Sequence, residues 1–123
     1  MNIVDSSLWL EYFAGTLKNG HVVGIIEDFV NQYVPSICIY EVHKKMLTDK
    51  DEPTALASTS FMQNATVVSI TSQIAILAAK LSKIHKFPMA DSIIYATAEI
   101  YNAKIYTQDK HFKDMKDVHY FPK

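Results

Sequence analysis

The chain has 123 residues, of which 49% are hydrophobic and 20% charged, with a formal net charge of −1. These values describe one ordinary domain able to bury a core, and they exclude a disordered chain or a broad polyanion-binding surface. No apolar run approaches the roughly 18 residues of a membrane span, MNIVDSS lacks the layout of a signal peptide, and the single cysteine, Cys38, excludes an internal disulfide; a cytoplasmic protein is expected.

The amino-terminal NIV reads as a strand, followed by a helix from about Ser7 to Ala14, capped by Ser6 or Ser7 and stopped near Gly15. Residues from about Gly20 to Asn31 read as a second helix. QYVPS is a short strand, with helices after it at about Ile37 to Leu47 and Glu52 to Gln63; Pro53 lies in the first turn of the latter, where its missing N–H costs little. TVVSI is a strand. Thr71 then caps an amphipathic helix with Ile74, Leu77, Ala78, Leu81 and Ile84 on one stripe. Pro88 separates it from a helix at about Ala90 to Tyr101, and AKIYT (strand), DKHFKDM (short helix) and VHYF (strand) complete the chain. Strands alternating with helices imply right-handed crossovers and a mostly parallel sheet covered on both faces. The fold class is α/β, in a single domain over 1–123.

Four acids stand out against this frame. Asp5 and Asp109 follow β-branched runs, at the carboxyl ends of predicted strands, where open α/β sheets bind their ligands. Glu41 and Asp91 sit on helices. Each has a plain structural reading. Asp5 and Asp109 suit helix N-caps. By angle, Glu41 lies opposite an Ile39, Val42 and Met46 stripe, where it would pair with Lys45 on a solvated face. Asp91 suits the positive end of a helix dipole, on a helix at the surface or bordering a cleft. No structural reading predicts all four at these positions together, and converging acids need a hard cation to offset their repulsion. An oxygen-only donor set selects Mg²⁺ or Mn²⁺. Asp114 is held in reserve as an accessory ligand, while Glu11, Glu27 and Glu99 fit outer faces.

Other chemistries find no support. The five histidines lack metal-ligand spacing, and there is no glycine-rich phosphate loop and no GxSxG elbow. All twelve basic side chains are lysine. Phosphate would therefore meet lysine point charges or backbone amides, never a guanidinium fork.

The segments VDSSLWLEYF, PSICIYEVHKK and AAKLSKIHKFPMADSIIYATAEIYNAKIYTQDKHF, in this order, resemble the PIN-domain ribonucleases. The short chain is most similar to the VapC toxins of bacterial and archaeal toxin–antitoxin pairs. The resemblance matches the family's acids with Asp5, Glu41, Asp91 and Asp109, and its conserved threonine with Thr107. Many relatives carry Asp immediately before the Phe of the last segment, where this chain has His111. The resemblance implies a three-layer α/β/α domain around a parallel sheet of order 3-2-1-4-5. It also implies hydrolysis of RNA phosphodiester bonds with Mg²⁺ or Mn²⁺. Asp5 and Asp91 would be the principal ligands, Glu41 and Asp109 further ones, and Ser6 and Thr107 accessory. The implied partners are an RNA substrate, a small VapB-like antitoxin and a second copy of the chain. Ile25, Ile26, Phe29 and Val30 are candidates for the partner groove, or else for the domain's own core. A nuclease of RNA processing or DNA repair and a non-catalytic module of the same fold are the alternatives.

Overall fold

A computed structural model describes residues 1–122. Five strands, β1 (Asn2–Val4), β2 (Gln32–Pro35), β3 (Thr66–Val68), β4 (Lys104–Thr107) and β5 (Val118–Tyr120), form one sheet. Its order is β3-β2-β1-β4-β5, with every pairing parallel. Six helices flank it: α1 (Ser6–Ala14), α2 (Gly20–Glu27), α3 (Ser36–Asp49), α4 (Glu52–Met62), α5 (Ser72–His85) and α6 (Met89–Tyr101). Connections from β1 to β2 to β3 step one way along the sheet, and the one from β3 to β4 steps back past β1. Right-handed crossovers therefore place their helices on opposite faces. This is the three-layer arrangement and strand order that the resemblance implied. No helix among the described residues is long and apolar enough to cross a membrane.

Central strands of such a sheet are covered on both faces and carry continuous apolar runs. Ile3, Val4 and Ile105 are accordingly buried. Trp9 of α1 is fully buried, stacked on Phe13 at 5.7 Å and edge-on to Phe61 of α4 at 6.3 Å. Gly15 ends α1 in the left-handed conformation (φ 74°), its N–H reaching back to Glu11 and Tyr12.

Several elements differ from expectation. Asp5, rather than Ser6 or Ser7, is the N-cap of α1, its carboxylate accepting from the Ser7 and Leu8 amides. Helix α2 stops at Glu27 instead of running to Asn31, and a 3-10 turn follows at Phe29–Asn31. The cause is Gln32, fully buried at the start of β2. Its amide nitrogen donates to the carbonyls of Ile25 and Ile26 at 2.9 and 3.0 Å, satisfying the helix end from outside. Ile25 and Ile26 are themselves buried and Phe29 packs on Phe61, so these residues close this domain's core; only Val30 projects into solvent. Of the two readings of these residues, the core holds for Ile25, Ile26 and Phe29, which leaves only Val30 free to meet a partner. Strand β3 is limited to three residues, and Ile70 is exposed on the way to the Thr71 cap of α5. In α5, Ile74, Ala78 and Leu81 face the core, but Ile84 lies in an exposed last turn. Residues 110–112 make only a 3-10 turn in place of a short helix.

Replacing Gln32 with Leu keeps the volume but removes the side-chain donor from the Ile26 carbonyl and leaves the Ile25 carbonyl only the Asp28 amide. Urea denaturation should show a loss of about 1–2 kcal/mol. A loss below about 0.5 kcal/mol would mean that α2 does not depend on this cap.

Candidate active site

The sheet order sets the carboxyl ends of β1 and β4 side by side, at the point where the connections leave in opposite directions. Asp5 follows β1 and Asp109 lies two residues beyond β4, both consequences of strand length. Asp5, Ser6, Glu41, Asp91 and Asp109 line one open cleft of about 420 Å³, walled by Ser7, Tyr40, Lys44 and Lys45. Asp114 does not join them. It lines a separate hollow with Tyr95, Glu99 and Asp117.

Asp5 is 3% exposed and held on both oxygens. Its Oδ1 accepts from the Ser7 hydroxyl (2.6 Å) and the Ser7 and Leu8 amides (3.2 and 3.4 Å), and its Oδ2 from the Thr107 hydroxyl (2.6 Å). Thr107 Oγ1 in turn accepts the Asp109 amide at 2.8 Å, so one hydroxyl fixes one acid and orients the turn bearing another. Ser6 donates to Glu41 Oε1 at 2.7 Å.

Glu41 corrects the angular reading. The buried face of α3 centres on Ile37, Cys38 and Val42 rather than Ile39, and Glu41 follows Ile37 by one turn. It thus borders that face and points into the cleft. The expected Glu41–Lys45 pair is not made; Lys45 pairs with Asp49 at 3.1 Å. Asp91 also escapes the surface-helix reading, because α6 buries residues 91–94 and 96–98, on most of its circumference.

Electrostatically the site is a concentration of charge in a poorly hydrated place. Burial pushes Asp5 up to about 6, against the opposing hydrogen bonds from Ser7, Thr107 and Leu8, and Asp109 adds repulsion. Burial also raises Asp91, to about 7. The neighbouring Asp109 carboxylate reinforces this rise, and His111 counters it. His111 was not anticipated as a member of the site. Its Nδ1 lies 2.7 Å from Asp91 Oδ2 and 2.9 Å from Asp109 Oδ1. Ligand atoms of Asp91, Asp109 and His111 all fall within 4.8 Å of one another. The sequence signal was the DKH spacing, which the 3-10 turn after Asp109 folds back on itself.

Oxygen donors converging from β1, α3, α6 and the β4 end, with two of them disfavoured as bare anions, fit a hard divalent cation. Asp91 and Asp109, with His111, have ligand atoms close enough to share an ion, and Asp5 and Glu41 line the same cleft as the two acids.

The sequence model of the PIN domain matches residues 3–118. The chain belongs to the PIN-domain family. No curated protein matches it in sequence. Among solved structures, it is similar to a toxin–antitoxin complex from Klebsiella pneumoniae (TM-score 0.80, 18% identity, 100% of both chains). It is also similar to VapBC2 from Rickettsia felis bound to a promoter DNA fragment (TM-score 0.77, 11% identity, 98% of this chain and 97% of that one). A third is VapC20 from Mycobacterium tuberculosis, a Sarcin-Ricin loop cleaving toxin (TM-score 0.73, 13% identity, 92% of both).

Asp5→Asn tests the electrostatics without reference to activity. A carboxyl whose folded pKa is raised contributes fully below the unfolded value, near 3.8, and that stability is lost as pH rises toward about 6. In metal-free protein the stability of Asp5→Asn relative to wild type should therefore climb between pH 4 and 6 and level off above. The net gain at pH 8 should be about 1–2 kcal/mol, after roughly 1 kcal/mol is lost with the Thr107 bond. A difference that is flat with pH would show that the Asp5 charge is not penalised.

Proposed function

We propose that the protein is a Mg²⁺- or Mn²⁺-dependent endoribonuclease acting as the toxin of a toxin–antitoxin pair. The observation that carries the reading is the convergence of Asp5, Glu41, Asp91 and Asp109 on one cleft at the β1–β4 switch point. Family membership and the toxin complexes among similar structures support it.

In this reading Asp5 and Asp91 are the principal ligands, and Glu41 and Asp109 complete the set directly or through water. Ser7 and Thr107 keep Asp5 in one rotamer, and Ser6 does the same for Glu41. When bound, the ion would activate a water and offset charge developing on the phosphodiester. Lys44 and Lys45 stand on the wall of the cleft and meet the flanking phosphates as point charges. Tyr40, 58% exposed beside them, offers a face on which an unpaired base can stack. With a net charge of −1, binding rests on these local contacts and not on long-range attraction.

The inhibitory partner is a small VapB-like protein, and the chain pairs with a second copy of itself. With Ile25 and Ile26 committed to the core, the partner's seat moves to an apolar hollow of about 510 Å³ lined by Leu10, Phe13 and Met46. This hollow shares Ser7, Leu10 and Lys45 with the acid cleft. A segment lying there would reach the carboxylates with a basic side chain.

Cleavage of unpaired RNA should require Mg²⁺ or Mn²⁺ and stop in EDTA. Asp5→Asn and Asp91→Asn should each lower kcat/KM at least about a hundredfold, as loss of several kcal/mol of charge stabilisation implies. Glu11→Gln, outside the cleft, should stay within about twofold of wild type. Activity that survives exhaustive chelation would refute the metal mechanism. For the partner, light scattering should find a dimer, and co-expression with the neighbouring gene product should abolish cleavage. A monomer indifferent to that product would remove the toxin assignment and leave the nuclease.

A further inference from the structure

The 3-10 turn at Lys110–Phe112 brings a nitrogen donor into a site otherwise built of oxygen. His111 lies two residues beyond Asp109, and its backbone amide donates to Asp109 Oδ1 at 2.9 Å. That bond turns the chain so that the ring comes back toward two of the acids, with Nδ1 at 2.7 Å from Asp91 Oδ2 and 2.9 Å from Asp109 Oδ1. The ring is thereby positioned from two sides while about half of it remains exposed.

These separations have a simple meaning in coordination geometry. Two ligands on adjacent vertices of an octahedron, each at about 2.1 Å from the ion, lie about 3.0 Å apart. Nδ1 stands at nearly that distance from one oxygen of each acid, and all three ligand atoms lie within 4.8 Å of one another, so a turn of the ring that aims its lone pair between the carboxylates would let them share one ion. An Asp at this position, as many relatives have, would offer oxygen to the same ion. A histidine offers a softer donor that improves affinity for transition metals far more than for Mg²⁺.

We propose that His111 is a direct nitrogen ligand which, with Asp91 and Asp109, biases the divalent-ion site toward Mn²⁺ over Mg²⁺. This rests on the metal-dependent reading above and deepens it by naming the preferred ion. Ligation requires a bare Nδ1 lone pair, so any hydrogen carried there would be released to solvent.

Mn²⁺ binding to the full chain at a fixed pH of about 8 would be followed by electron paramagnetic resonance, with pulsed spectra recorded for nitrogen coupling and calorimetry used for Mg²⁺. Wild type should show nitrogen coupling to bound Mn²⁺. His111→Ala should lose it, with the Mn²⁺ Kd rising about tenfold or more and the Mg²⁺ Kd changing less than about threefold. His111→Asp should lack nitrogen coupling but bind Mg²⁺ at least as well as wild type. Circular dichroism checks that both variants fold. Bound Mn²⁺ without nitrogen coupling in wild type would overturn the proposal. So would tighter Mn²⁺ binding by His111→Ala, which would make the imidazole a competitor for the ion's place. If wild type binds no Mn²⁺ at all, the metal-dependent reading falls with it. If Asp91→Asn abolishes Mn²⁺ binding while His111→Ala does not alter it, only the role of His111 falls.

Discussion

The hydrogen bond from Thr107 to Asp5, 102 positions apart in sequence, is the interaction on which the rest of the site depends. It closes the seam between β1 and β4 above their last paired residues, Val4 and Tyr106. The same aspartate caps α1 through its other oxygen, and its backbone amide donates to the Tyr106 carbonyl at 3.0 Å. A buried carboxylate is costly unless several donors meet it. Here four do, yet burial still outweighs them and the group remains hard to ionise. The fold therefore fixes Asp5 in place without making it comfortable as an anion, which is the condition a cation site requires.

The remaining acids are placed by the same economy of elements. Asp91 stands in the first turn of α6, where the helix dipole favours a negative charge. That effect is worth at most about 2 kcal/mol, and desolvation together with Asp109 overrides it, since the group is shifted upward. Asp109 caps its own short turn and so directs His111. Glu41 is tethered by Ser6 from the neighbouring helix. Each acid is thus oriented by a hydroxyl, an amide or a ring contributed by another element. Loss of any one orienting group should loosen the site before it harms the core.

Much of the fold was legible because parallel sheets write themselves plainly: short β-branched runs, each followed by a helical pattern long enough for a crossover. The carboxyl ends of NIV and AKIYT could be located from the strands alone, and Asp5 and Asp109 with them. Periodicity failed where a helix is contacted on more than one side. Glu41 reads as solvent-facing when Ile39 is counted in the apolar stripe, whereas the buried face lies toward Ile37 and Cys38. Asp91 fits a surface helix and one bordering a cleft equally well in sequence, because amphipathicity cannot register a helix that is buried on most sides, and the structure places it at the cleft. The length of α2 was missed because its end is set by the Gln32 side chain, seven residues beyond Ile25 and pointing backward. The ring of His111 was missed for a related reason: an i, i+2 contact in a tight turn leaves no periodic trace. Asp5 is the α1 cap through one oxygen and accepts from Thr107 on the other, and it lines the acid cleft at the same time.

The central claim is that these acids hold divalent metal in one cleft. X-ray diffraction from crystals soaked in Mn²⁺ at about pH 8, with data collected for the anomalous signal of manganese, tests it most directly. The account predicts a peak inside the cleft, within roughly 2–2.5 Å of carboxylate oxygens of Asp5, Asp91 or both, with Glu41 and Asp109 in its coordination sphere or one water beyond. No peak in the cleft at saturating Mn²⁺, with Asp91 still bonded to His111 as it is here, would contradict it.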